Sequence, residues 1–131
     1  MIVLDTHALV WWIGNPKRLS ATARKAIDAA VAANGALVSC ISTWEVAMLS
    51  LRGRLELALD VSDWLARVEA LPYLRFVPVD NATALRSVLL PEPLHRDPAD
   101  RIIIATALAH GAAVVTVDDK LRSYPHVRTM W

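Results

Sequence analysis

Short runs of consecutive apolar residues alternate along this chain with longer stretches whose apolar positions recur at helical spacing. The first pattern reads as buried strand and the second as amphipathic helix. Ile2-Val3-Leu4 predicts a strand. Ser20 to Asn34 predicts a helix, with Ser20 as N-cap and Gly35 as its stop. A strand over Ala36–Cys40 is followed by a helix over Ser42–Leu51 that Gly53 ends. A helix over Val61–Leu71 stops before Pro72, a strand covers Leu74–Val79, and a helix over Asn81–Leu90 ends before Pro91. Residues 91–97 form a loop, and Pro98 then opens a helix to His110 with Gly111 behind it. Ala112–Val117 is the last strong strand. A short turn or helix follows Asp118, and Val127–Met130 forms a final edge strand.

Strands that alternate with helices predict an α/β fold with a mostly parallel central sheet. Continuous apolar strands agree, because parallel strands are covered by helices on both faces. Right-handed crossovers bring the strand C-termini to one edge, and ligands of open α/β sheets bind there. No repeat, linker or low-complexity tract divides the 131 residues, so one domain over 1–131 is expected.

Composition changes this picture little. Hydrophobic residues make up 55% of the chain, which argues against disorder and hints at a surface covered by a partner. A net charge of +1 excludes binding to nucleic acid through bulk charge, so any RNA contact must come from a local patch. The single cysteine, Cys40, excludes an intrachain disulfide framework and suits a cytoplasmic location. The N-terminus meets Asp5 too early for a signal peptide, and the apolar stretch Ile102–Val117 is too interrupted to span a membrane.

Several acids fall at the predicted strand ends. Asp5 directly follows the first strand, and Asp118 and Asp119 follow Ala112–Val117. Glu45 lies one helical turn past the second strand, and Asp97 and Asp100 open the helix before the last strong strand. This topology lets Asp5, Glu45, Asp100 and Asp118 converge on one pocket. Carboxylates without neutralising bases repel one another and are reconciled by a hard divalent cation such as Mg²⁺ or Mn²⁺. Each acid also has a structural reading. Ser42-Thr43-Trp44-Glu45 has the form of a capping box, Asp97 of an N-cap, and Asp118 of a cap for the last short helix. Asp5 has the weakest such excuse.

Four blocks in order resemble the VapC-type PIN domains, ribonucleases that act as toxins of toxin–antitoxin pairs. They are Leu4-Asp5-Thr6-His7-Ala8-Leu9-Val10-Trp11-Trp12, Ser39-Cys40-Ile41-Ser42-Thr43-Trp44-Glu45-Val46-Ala47, the run from His95 to Ala107, and Val115-Thr116-Val117-Asp118-Asp119. They span nearly the whole chain. The resemblance implies a PIN-like sheet of about four or five strands and an endoribonuclease with Mg²⁺ or Mn²⁺ held by Asp5, Glu45, Asp100 and Asp118. Asp97 is an extra acid, and Asp118 is preferred over Asp119 because it directly follows Thr116-Val117. The resemblance further implies an RNA substrate, a VapB-like antitoxin partner and a homodimer.

Around these acids, Thr6, Ser42 and Thr116 are placed to hold carboxylates or waters. Arg96 and Arg101 flank the third block and are candidates for phosphate contacts. His7 and His95 are candidate general acids, or polar groups that orient their segments. Trp11 and Trp12 are adjacent and cannot both face one core side, so one is expected to be exposed or covered by a partner. Three other readings fit less well. A haloacid-dehalogenase-type phosphatase wants an acid where His7 stands, a receiver domain wants a different order of acids, and a dinucleotide binder wants a glycine-rich loop after the first strand. A PIN-like domain that only binds RNA or a partner is the non-catalytic alternative.

Overall fold

The computed structural model describes residues 1–131. Five strands, β1 (Ile2–Leu4), β2 (Ala36–Ser39), β3 (Leu74–Val77), β4 (Ala113–Val115) and β5 (Thr129–Met130), form one sheet in the order β3-β2-β1-β4-β5. Every pairing is parallel. The chain moves outward from β1 through β2 to β3 and then crosses to place β4 on the other side of β1. The reversal of strand order therefore lies between β1 and β4, where an open α/β sheet leaves a crevice at its carboxyl edge.

Seven α-helices cover the sheet: α1 (Thr6–Gly14), α2 (Ala21–Ala32), α3 (Ile41–Leu51), α4 (Val61–Glu69), α5 (Asn81–Val88), α6 (Pro98–Ala109) and α7 (Asp119–Arg122). Register assigns each strand residue to a face. Val3 pairs with Leu37 and with Val114, and all three enter the core beneath α6 and α7 with Ile103, Ile104 and Leu121. Ile2 and Leu4 point the other way, pair with Ala36 and Val115 respectively, and join Leu9, Ile27 and Val68 beneath α1, α2 and α4. A strand this fully apolar is what burial on both faces requires. Fully burying each Val or Leu contributes about 1.5–3 kcal/mol.

The expected elements are present, with ends that shift by one to a few residues. Two shifts have a clear physical reason. The helix α2 stops before Asn34, which takes the left-handed conformation (φ 55°) expected of Gly35. Gly35 instead lies in a tight approach, where a Cβ would stand 3.3 Å from Met1 Cα. At the end of α6 the expectation holds, since Gly111 (φ 60°) turns the chain directly into β4. The last strand is only Thr129–Met130, because Val127 turns into the core and pairing with β4 begins two residues later. No helix is long and apolar enough to cross a membrane.

Candidate active site

The strand β1 ends at the crevice, and its next residue is Asp5. Asp5 is buried at 6% exposure and serves as the N-cap of α1. Its Oδ1 accepts from the Thr6 amide at 2.8 Å, and its Oδ2 accepts from Thr116 Oγ1 at 2.6 Å. Asp5 thus has a helix-end role that its place in the sequence did not suggest. Thr116 follows β4 and also accepts from the Asp118 amide at 3.1 Å, so one hydroxyl ties both strand ends together.

Across β2, the capping-box expectation at α3 gives way to a long-range arrangement. The helix starts at Ile41, one residue early, and its N-cap Cys40 makes no side-chain bond. Ser42 and Glu45 are thereby freed to face α1. Thr6 Oγ1 lies 2.9 Å from Ser42 Oγ and donates to Glu45 Oε1 at 2.5 Å. Thr6 and Ser42 are both buried.

The helix α6 supplies the third acid. Asp97 caps it by accepting from the Asp100 amide at 3.0 Å, as expected. Asp100 is half-buried, and its Oδ2 lies 2.7 Å from His95 Nε2. An ionised carboxylate only accepts, so the imidazole N–H donates.

These carboxylates sense one another. Burial is the main cause that raises the pKa of Asp5, opposed by its bonds from Thr116 and Thr6 and reinforced by Asp118. Burial also pushes Glu45 up to about 7, against the Thr6 hydroxyl, with Asp5, Asp100 and Asp97 adding repulsion. Asp100 is raised to about 6 by burial, against the His95 bond, with Asp5 and Asp97 adding repulsion. The charges that weigh on this set are other acids, apart from the imidazoles of His7 and His95. Three elements therefore bring Asp5, Glu45 and Asp100 into one field, with Asp118 coupled through Asp5. The expected quartet does not form a closed shell: no three His, Cys, Asp or Glu side chains stand in a ready-made ligand cluster. All the donors are hard carboxylate oxygens short of positive charge, the chemistry that a divalent cation fits.

The cationic candidates separate. Arg96 is exposed beside Asp97. Arg101 departs from the expected phosphate contact. Its guanidinium donates to the carbonyls of His95, Ser87 and Leu94 and to Glu92 Oε1, at 2.6–3.2 Å. Asp119 projects into solvent at 98% side-chain exposure near Arg122, whereas Asp118 turns back and caps α7 through the Lys120 amide. His7 is exposed and stacks against Trp11.

A groove of about 1130 Å³ lies apart from Asp5, Glu45 and Asp100, between the C-terminal half of α1 and α4. Trp11 and Trp12 both line it, each half-buried, so neither is fully exposed, and both stand where the expected cover by a partner would act. Trp12 meets Tyr73 edge-on, and Arg18 lies 4.2 Å over Trp11. The exposed tryptophan is Trp44, at 56%.

The sequence profile of the PIN domain matches residues 2–127. This chain belongs to the PIN-domain family. A relative from Mycobacterium tuberculosis (strain ATCC 25618 / H37Rv), Ribonuclease VapC22, is 39% identical over 132 residues, covering 99% of this PIN domain and 98% of the relative. Among solved structures, FitAcB from Neisseria gonorrhoeae is similar with TM-score 0.64 and 27% identity, covering 98% of this chain and 96% of that one. VapBC2 from Rickettsia felis, bound to a DNA fragment from its promoter, is similar with TM-score 0.70 and 17% identity, covering 98% and 97%. At that identity the likeness is one of fold. The PIN domain therefore has the family and the parallel sheet that the sequence blocks implied.

Proposed function

We propose that this PIN domain is an endoribonuclease dependent on Mg²⁺ or Mn²⁺, the toxin of a toxin–antitoxin pair acting in the cytoplasm. The observation that carries the reading is the gathering of Asp5, Glu45 and Asp100 from three separate elements into one shared field at the strand-order reversal, at a net electrostatic cost to the fold. A fold retains like charges in a partly dry crevice when a function uses them. Kinship with a protein called a ribonuclease points the same way.

Asp5, Asp100 and Asp118 would hold the cation, with Glu45 beside them. When bound, the cation neutralises charge on the phosphate oxygens and acidifies water. The residues of this chain do the rest. Thr116 and the Thr6 amide fix Asp5 by both oxygens. The Thr6 hydroxyl occupies Glu45 Oε1, which leaves Oε2 to take a proton from an attacking water. Without a cation, burial and the neighbouring acids raise Glu45 to about 7; a bound cation would lower it and favour the ionised, proton-accepting form. Thr6 and Ser42 keep its side chain turned to the crevice, and Asp97 adds negative charge at its rim. Arg96, exposed beside Asp97, is the phosphate contact we favour.

An antitoxin segment fits the groove along α1 and α4, where Trp11, Trp12 and Trp64 offer apolar surface and Arg18, Arg54 and Arg67 favour an acidic partner. A second copy of the chain has an apolar stripe available on and just beyond α5, where Leu85, Val88 and Leu89 are 61%, 70% and 69% exposed.

The test is cleavage of mixed cellular RNA by protein freed of antitoxin, with Mg²⁺, with Mn²⁺ and with EDTA, beside Asp5→Asn. Cleavage that needs the cation and disappears in Asp5→Asn is expected. Cleavage that survives EDTA, or survives Asp5→Asn, overturns the reading.

A further inference from the structure

The loop from Pro91 to Asp97 has no regular structure, yet it carries His95 onto Asp100. Its shape is imposed by one side chain. Arg101, next to Asp100 in α6, is only 12% exposed at its side chain. Its Nε donates to the His95 carbonyl at 2.9 Å, and one terminal nitrogen donates to the Ser87 carbonyl at 3.2 Å. The other terminal nitrogen reaches the Leu94 carbonyl at 3.0 Å and Glu92 Oε1 at 2.6 Å. Glu92 in turn accepts from the Leu94 amide at 2.8 Å, and Tyr124 donates to the Pro91 carbonyl at 2.8 Å. Every nitrogen of the guanidinium is spent on the residues that lead into His95 or on the end of α5. A planar fork with donors in fixed directions can hold several carbonyls at once, which a lysine ammonium cannot do with the same geometry.

We infer that Arg101 is a positioning residue for the acidic site, acting through His95, whose imidazole fixes the Asp100 carboxylate by its Oδ2 and leaves Oδ1 as the oxygen presented to the crevice. The inference rests on the reading of Asp100 as a cation ligand. A carboxylate free to rotate can offer either oxygen or both. One whose outer oxygen is held by an N–H presents a single defined oxygen, and groups that orient ligands in this way commonly change metal affinity by about 10- to 100-fold. Arg101 spends its donors on the loop and on the end of α5. Its effect is carried by two backbone carbonyls and one ring.

Three variants of the full chain test this: Arg101→Lys, His95→Phe and His95→Gln. The last keeps an N–H where His95 has Nε2. Two readouts are used besides activity. One is ¹⁵N–¹H NMR of the His95 ring without metal, which reports whether its N–H is bonded to a carboxylate. The other is Mn²⁺ binding followed by electron paramagnetic resonance. The bonded ring signal is expected in the parent chain and lost in Arg101→Lys. Mn²⁺ affinity is expected to fall about tenfold or more in Arg101→Lys and in His95→Phe, with His95→Gln restoring most of it. An Arg101→Lys chain that melts earlier but keeps both the ring signal and Mn²⁺ affinity has lost only a structural staple, and overturns the inference. If Arg101→Lys does not fold, the His95→Phe and His95→Gln pair decides, and equal Mn²⁺ affinity in both overturns it. A parent chain that shows the bonded ring signal but binds no Mn²⁺ overturns the metal reading, and the inference with it. The converse, normal Mn²⁺ binding without the bonded ring signal, overturns the inference alone.

Discussion

The ends of β1 and β4 lie side by side, and each passes into an acid that caps the following helix. Locally they are the same device: apolar strand, aspartate, helix. Their surroundings make them different. Asp5 directly follows its strand and is buried, with both oxygens bonded and its charge opposed by the desolvation around it. Asp118 stands nearer the sheet margin, is half-buried, and uses Oδ1 on the Lys120 amide. A cap alone does not make a site. Deep burial with both oxygens bonded makes the first aspartate a costly, held charge, while the second is half-buried and bonded through one oxygen.

The sharpest break of this comparison is Asp5→Asn against Asp118→Asn. Asp5→Asn is expected to lower RNA cleavage by at least about a hundredfold, the scale of removing a central electrostatic group. It should also melt at higher temperature than the parent when both are free of metal at pH 8, since it deletes a buried charge while its amide oxygen still accepts from the Thr6 amide and its NH2 can donate to Thr116 Oγ1. Thermal unfolding checks this. An Asn variant that loses both activity and stability would place Asp5 among ordinary caps.

Next in size is pH. Glu45 and Asp100 are raised in the folded chain, from 4.5 to about 7 and from 3.8 to about 6. Between the unfolded and folded values the native state binds more protons than the unfolded chain, so metal-free stability falls as pH rises. That contribution is full below about pH 4 and is lost as pH passes through about 7. Added Mn²⁺ is expected to reverse the loss at pH 8 and to do little at pH 5, where the ligands hold their protons. Melting curves at the two pH values, with and without Mn²⁺, measure it.

Thr116→Val sharpens the comparison from the other side, because Thr116 serves both acids. It leaves a buried carboxylate oxygen without its donor, at a cost of about 1–3 kcal/mol. Denaturant unfolding reads the loss, and activity falls with it. Smallest are the variants at the β4 end. Asp118→Asn is expected to reduce cleavage by about tenfold, while Asp119→Asn, whose side chain is in solvent, leaves it within about twofold, as surface changes usually do. Equal effects at the two positions would erase the distinction between them.

Much of this was legible in the sequence. Ile2-Val3-Leu4 and Ala113–Val115 are apolar because both faces are covered, and a run of that kind announces itself without partners. The acids at strand ends could be placed because topology fixes where strand ends go. What escaped were bonds between distant residues. Glu45 looked like half of a capping box because Ser42 stands three positions before it, but its partner is Thr6, 39 residues away. Arg101 looked like a free cation because its acceptors are backbone carbonyls, which every residue has and no sequence pattern marks. Trp11 and Trp12 could not both face inward on a simple cylinder. A groove wide enough to flank both resolves that geometry.

The bond from Thr116 to Asp5 joins positions 111 residues apart. During synthesis Asp5 emerges first, and the strand that completes its pocket emerges after all the helices from α1 to α6. Parallel pairing at such separation also forms late in folding, once the loop between has been ordered. Until then Asp5 lacks the donor for its second oxygen, and Asp118 is not yet beside it. Strand order here acts as a timer: the acids at α1, α3 and α6 are made before the strand that completes the pocket of the first of them.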